Sequence, residues 1–182
     1  MFEKNFEKLV NVGSTENSIL DNHINKLFNK ILLPNILNYG SSVEDFLEIG
    51  CGDGRYAKNI VKYVNNYIGV DIRDESLRFA KELLKNNKRV TFFKNSGHDL
   101  NKIKDKSIDI VFSYQTFFYI PEKKYVFDYL DEIFRVLKEN GLAKVQFSGT
   151  NNGDKLRFSY FKLGQFNKLY KLLNFLPIDF ML

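Results

Sequence analysis

The chain has 182 residues, 44% hydrophobic and 27% charged, which suits one folded domain with a single core and excludes a disordered or low-complexity chain. Its net charge of +5 comes from lysines and arginines scattered along the sequence, so a solvated surface is expected and a nucleic-acid partner is disfavoured. The single cysteine, Cys51, excludes an internal disulfide and a cysteine-based metal site. With no bilayer-length apolar run and no signal-peptide pattern, the expectation is no membrane contact and a reducing cytoplasm.

In chain order, Leu20, Ile24, Leu27, Phe28 and Ile31 form a helical stripe that Pro34 interrupts, which predicts a helical cap over residues 1–40. Short apolar runs follow at 46–49, 67–70, 90–93, 108–112 and 142–147, with amphipathic stretches between them. Ala57, Ile60, Val61 and Val64 make one helical stripe, and Leu77, Ala80, Leu83 and Leu84 a second. The clearest runs from Val126 through Tyr129, Leu130, Ile133 and Val136 to Leu137, and is predicted to stop at Asn140-Gly141, a helix-ending pair. Residues 94–107 carry no stripe and read as loop or short helix.

Strands alternating with helices predict βαβ units, hence an α/β, doubly wound, mainly parallel sheet with helices on both faces over a core at 44–149. Residues 150–182 add a predicted helix at Leu163, Phe166, Leu169, Tyr170 and Leu173, then an edge strand at 177–182. All of 1–182 reads as one domain, without room for a complete C-terminal strand hairpin. An edge left open in this way is a liability, which self-association into a homodimer would cover.

The stretch Phe46-Leu47-Glu48-Ile49-Gly50-Cys51-Gly52-Asp53-Gly54-Arg55 runs an apolar strand into three alternating glycines before a helix stripe. In an open α/β sheet this is where the ligand binds, at a strand's carboxyl end beside a helix start. The loop is Gly-x-Gly-x-Gly with Arg55 where a dinucleotide fingerprint has its third glycine, and it lacks the lysine of a P-loop. The second run ends at Asp71, about twenty residues beyond the first glycine, the spacing at which a carboxylate reaches ribose hydroxyls; capping of the next helix is its other reading.

These segments resemble the first two motifs of class I S-adenosylmethionine-dependent methyltransferases. The likeness continues in Ile108-Asp109-Ile110-Val111-Phe112-Ser113, in Ile120-Pro121, and from Glu132 to Gly141. It implies a Rossmann-like methyltransferase fold, S-adenosylmethionine as cofactor, and methyl transfer to a small-molecule acceptor. Other readings are a non-catalytic module that binds the same cofactor and, less favoured, an NAD-linked oxidoreductase or an RNA methyltransferase.

Residue by residue, the resemblance implies that Gly50, Gly52 and Gly54 line the methionine end and ribose. Glu48 would hold the cofactor's amino group or, alternatively, brace loop amides. Asp71 would bind the ribose hydroxyls and Ile72 would pack on adenine. Ser96 and Gly97 stand where the family commonly carries an aspartate for the adenine amino group, with His98 nearby. Ser113 leaves the fourth strand where cofactor and acceptor should meet. Tyr119 stands where many relatives have histidine, so Tyr114 and Tyr119 are the catalytic candidates. His23 reads as a surface residue, and no metal is expected. The N-terminal helix and the segment with Phe158, Tyr160 and Phe161 are expected to lid the acceptor pocket.

Overall fold

β1 (Val43–Ile49) is the axis of the sheet, and Phe46, Leu47 and Ile49 along it have no solvent exposure. A strand covered on both faces reads as a near-continuous apolar run, and β4 (Ile108–Ser113), buried along its whole length, does the same. The computed structural model describes residues 14–39, 42–147 and 157–162. β1 pairs in parallel with β2 (Val64–Asp71) and β4; β3 (Val90–Lys94) extends the sheet beyond β2, and β5 (Leu137–Phe147) beyond β4. β6 (Arg157–Lys162) closes it antiparallel to β5, giving the order β3-β2-β1-β4-β5-β6.

Helices cover both faces, as right-handed crossovers require. One face carries α1 (Ser14–Leu27), a π-helical turn (Phe28–Leu32) and α2 (Leu33–Leu37), followed by α3 (Ala57–Ile60) and α4 (Asp74–Leu83). Its core joins Phe28, Leu32 and Ile36 to Phe46, Tyr67, Ile110 and Phe112. The other face carries α5 (Lys123–Val136), whose Val126, Leu130 and Ile133 pack on Leu47, Ile49 and Val111. Pro34, which has no N–H, sits in the first turn of α2, where none is needed; the chain reaches it through the π turn. Lys144 of β5, fully buried, ties this cap to the sheet through the Ile31 carbonyl and Asn35 Oδ1.

Three sequence expectations change. Ala57, Ile60 and Val61 do form a buried stripe, but α3 ends at Ile60 and Val64 already begins β2. α5 ends at Val136, not at Asn140-Gly141. Its last carbonyls are satisfied from elsewhere, Arg135 by the Lys106 N–H at 2.9 Å and Val136 by the Ser107 N–H at 2.8 Å, so no glycine cap is needed. The sheet register passes from Ile108–Leu137 to Ile110–Leu142, so residues 138–141 bulge from β5 and the Asn-Gly pair marks that bulge. The third change is at Phe158, Tyr160 and Phe161, which belong to β6 and extend the sheet where a lid was expected. The predicted helix from Leu163 and the strand at 177–182 lie outside the described residues. No described helix is long and apolar enough to cross a membrane.

Candidate active site

Ile49 at the tip of β1 has Val70 of β2 on one side and Ser113 of β4 on the other, and Ser113 in turn neighbours Val145 of β5. The chain leaves Ile49 straight into the glycine loop. The Gly50 and Cys51 N–H groups both donate to the Val70 carbonyl, at 2.8 and 3.0 Å, which stitches the turn to the neighbouring strand. Gly50, Gly52 and Gly54 have φ of +75°, +53° and +80°, the left-handed region that side chains rarely adopt. At Gly50 a Cβ would lie 1.8 Å from Thr116 Oγ1, so the position is closed to any side chain. At Gly52 a Cβ would meet nothing within 4 Å. There the main chain is bare and the space above it open, as a ligand cradle requires.

Asp71, 8% exposed at the tip of β2, faces this opening. Its Oδ2 accepts the Gly52 N–H at 2.9 Å and its Oδ1 the Arg73 N–H at 2.9 Å, with Arg73 Nε 3.8 Å from Oδ1. A carboxylate has about four acceptor positions, so roughly half remain for further hydrogen bonds. Asp71 therefore braces the glycine loop and still has capacity for hydroxyl donors.

The bracing role expected as one option for Glu48 falls to Asp71 instead. Glu48 is buried on the sheet face under α3 and α4, where its Oε2 accepts the Tyr67 hydroxyl at 2.5 Å. Burial pushes its pKa up to about 8, against the pull of the Tyr67 bond and with help from the Asp53 and Asp71 charges. The Cys51 thiol is pushed up too, chiefly by burial, so it is an inert packing group.

Beyond Asp71, Ile72 is 55% exposed and sits against Gly97, whose φ is +95°. The Ser96 N–H and hydroxyl both donate to Asp99 Oδ2, so Ser96 is engaged in its own turn. Asn95, one residue earlier, donates through Nδ2 to the Tyr129 hydroxyl at 2.7 Å and the Asp99 carbonyl at 3.1 Å, while its Oδ1 is buried without a partner among the described residues. Asn95 lines a cavity of about 350 Å³ with Val70, Phe93, Ser96, Asp99 and Leu100. A larger hollow, about 600 Å³, lies along residues 82–89. It is at the opposite end of the sheet, where β3 begins, and far from the loop.

On the β4 side, the buried Ser113 hydroxyl donates to the Ile49 carbonyl at 2.9 Å, and Thr116 Oγ1 donates to the same carbonyl at 3.1 Å. Tyr114 is half-buried and packs edge-on against Tyr56, 5.6 Å between centroids, and burial raises its phenol pKa. Gln115 has φ +60°, an unusual conformation for a side-chain-bearing residue, and its N–H donates to Gln146 Oε1 at 2.9 Å. Gln146 has no solvent exposure, and its Nε2 has no partner among the described residues.

The structure thus gathers Gly50, Gly52, Gly54, Asp71, Ile72, Gly97 and Ser113 at one end of the sheet. Tyr119, on the 3-10 turn Phe117–Tyr119, is 82% exposed. His98 stacks on Tyr125 at 4.8 Å, with Nδ1 3.7 Å from Asp128 Oδ2, and His23 is exposed on α1. Among the described residues no cluster of histidine, cysteine or acidic side chains could hold a metal ion. Sequence reasoning missed Thr116, Asn95 and Gln146. Asn95 could have been found beside Ser96, but nothing local marks Thr116 or Gln146.

Comparison with known proteins agrees with this geometry. The methyltransferase domain family matches residues 47–145. A curated malonyl-[acyl-carrier protein] O-methyltransferase 2 from Ilyobacter polytropus is 32% identical over 120 residues, covering 64% of this chain and 44% of that protein. The chain therefore spans less than half the length of that relative. Among solved structures, an S-adenosylmethionine-dependent methyltransferase from Methanosarcina mazei is similar at a TM-score of 0.58 and 26% identity, covering 66% of this chain and 59% of that one. Another from Aquifex aeolicus shares the fold at a TM-score of 0.56 and 20% identity, covering 74% and 77%.

Proposed function

The chain belongs to the class I S-adenosylmethionine-dependent methyltransferase family, and from that premise we propose that it transfers a methyl group from S-adenosylmethionine to a small-molecule acceptor held beside the β4 and β5 tips. The observation that carries this reading is the bare, open main chain at Gly52 beside a buried carboxylate with acceptor capacity to spare. In this reading the ribose hydroxyls donate to Asp71, and Gly50, Gly52 and Gly54 line the ribose and methionine end. Ile72 and Gly97 flank the adenine. Asn95 Oδ1, buried without a partner among the described residues, supplies an acceptor for the adenine amino group that Ser96, engaged with Asp99, supplies less well. Glu48 holds Tyr67 beneath the sheet tips, and Ser113 fixes the two strand tips to each other.

The bound sulfonium supplies an already activated methyl group, so alignment and exclusion of water are the tasks left to the protein. Tyr114, kept protonated by burial, lines the acceptor side, with the more exposed Tyr119 beyond it. The curated relative is named for O-methylation, which makes an oxygen acceptor the first to try. Arg55 at the third-glycine position argues against a dinucleotide.

A thermal-shift titration tests the assignment. S-adenosylhomocysteine at a hundred times its dissociation constant should add about 2.7 kcal/mol of stability, and NAD should add none. A shift with NAD alone would overturn it.

A further inference from the structure

Within the cofactor reading, which this inference deepens and on which it rests, we propose that Tyr129 is a positioning residue for the nucleobase. It holds the Asn95 amide with the oxygen end open, so the site accepts a base with an amino group and rejects one with a carbonyl in its place. Asn95 follows directly on β3 and forms part of the wall of the cavity of about 350 Å³. The two ends of an amide differ only by a half-turn, but the neighbours of this one are not symmetric. The Asp99 main-chain carbonyl, 3.1 Å from Nδ2, can only accept, so the nitrogen end faces it. The Tyr129 hydroxyl takes the second hydrogen of the same nitrogen at 2.7 Å. Both donors of Nδ2 are then used, and Oδ1 keeps its acceptor positions, with no partner among the described residues. Turning the amide over would set Oδ1 against the Asp99 oxygen and lose that hydrogen bond.

Tyr129 is suited to this task because it is itself held in place. It is 2% exposed on α5, and its ring packs on Phe117, in the turn that follows β4, at 5.6 Å between centroids. Around it, α5 grips the same loop at helical spacing. Tyr125 stacks on His98, Glu132 accepts the Leu100 N–H at 2.7 Å, and Arg135 donates to the Leu100 and Ile103 carbonyls at 3.0 and 2.9 Å. Residues 95–107, which contain no helix, take their shape from α5 instead. Other polar groups of the cavity wall are already engaged: Lys94 with Asp74, the Ser96 hydroxyl with Asp99 Oδ2, and Asp99 Oδ1 with the Asn101 N–H. An adenine amino group brings the donor that Asn95 Oδ1 lacks. The carbonyl of hypoxanthine would set oxygen against oxygen and leave Oδ1 unmet, a mismatch that a site built for hydrogen bonding rejects strongly.

The preference between two bases separates this role from a purely structural one. Calorimetric titrations of S-adenosylhomocysteine and of S-inosylhomocysteine, in which a carbonyl replaces the amino group, are made on the full chain and on two variants. Tyr129→Phe (Y129F) keeps the ring on Phe117 and removes only the hydroxyl; Asn95→Leu (N95L) replaces the amide with methyl groups. The original protein should prefer the adenosyl ligand about tenfold or more, and Y129F should lower that ratio about threefold or more. N95L should remove most of the preference. Should Y129F fail to fold, Tyr129→Met, which fills the space with a flexible side chain and no hydroxyl, takes its place with the same expected ratio. A purely structural Tyr129 would weaken both ligands by the same factor and leave the ratio unchanged, which overturns the inference. Equal binding of the two ligands by the original protein, or an undiminished preference in N95L, overturns it as well. Failure of the original protein to bind S-adenosylhomocysteine at all would remove the cofactor reading itself, and this inference with it.

Discussion

The β1–β2 tips and the β4–β5 tips, the two halves of the proposed site, are built in different ways. On the first, the glycine loop is held from the adjacent tip of β2, where the Asp71 carboxylate, 19 positions on, accepts the Gly52 N–H and the Val70 carbonyl accepts the Gly50 N–H. On the second, a strained turn at Gln115 is held by a side chain 31 positions away, and the anchor between Lys144 and Asn35 spans 109. In the proposed reading, a cofactor common to a large family is met by a loop closed on the next strand tip, and an acceptor peculiar to one protein by side chains that only the tertiary fold brings together.

The largest effect expected from breaking this contrast lies within the glycine loop. Gly50→Ala should cost about 3 kcal/mol or more, since it adds a left-handed side chain and a collision with Thr116. Gly52→Ala should cost only about 1 kcal/mol, from φ alone, yet remove S-adenosylhomocysteine binding because its methyl group fills the open cradle. Chemical denaturation and calorimetry on the two variants measure both effects, and equal destabilisation would show that the loop has no open side.

Asp71→Asn comes next. Loss of the charge at the ribose position should weaken S-adenosylhomocysteine about 10- to 100-fold, as for other hydrogen bonds to an ionised group, with a much smaller change in the binding of acceptor probes. A matching loss on both sides would merge the halves that the structure separates.

The buried Glu48 gives a pH-dependent test. Its pKa rises from 4.5 to about 8 on folding, so between those values the folded chain holds a proton that the unfolded chain has released. Stability from this group is therefore fully present below about pH 4.5 and falls until the pH passes about 8. Glu48→Gln, which still accepts from Tyr67, should flatten that slope in denaturation curves taken across the window. A slope unchanged in the variant would place the proton elsewhere.

The smallest effect is expected at Tyr119. With 82% of its surface exposed, Tyr119→Ala should change stability by less than about 0.5 kcal/mol in thermal melts and leave S-adenosylhomocysteine affinity as it was. Slower methyl transfer with those two unchanged would add Tyr119 to the acceptor half.

The same division explains what can be read from the sequence. β1, β2 and β4 stand out as apolar runs because both their faces are covered, and the three glycines and Asp71 are legible because adjacent residues make the turn. The end of α5 is not legible, because Lys106 and Ser107, about thirty residues earlier, satisfy its last carbonyls. β6 resembles a lid in sequence because its aromatics are interrupted by polar residues and only its pairing with β5 makes it a strand. Glu48 and Asp71 are both expected at the site, but loop bracing belongs to the residue that the β2 tip points at the Gly52 amide. Gln146 carries no signal of its own: a lone glutamine near the end of an apolar run acquires meaning only when Gln115 folds over it.

A crystal structure of the S-adenosylhomocysteine complex tests the central claim most directly. The ligand should run across Gly52, with both ribose hydroxyls within hydrogen-bond distance of Asp71 and its sulfur directed toward the tips of β4 and β5. Density for the ligand anywhere else, or a glycine loop collapsed over Asp71 in its presence, would contradict the account.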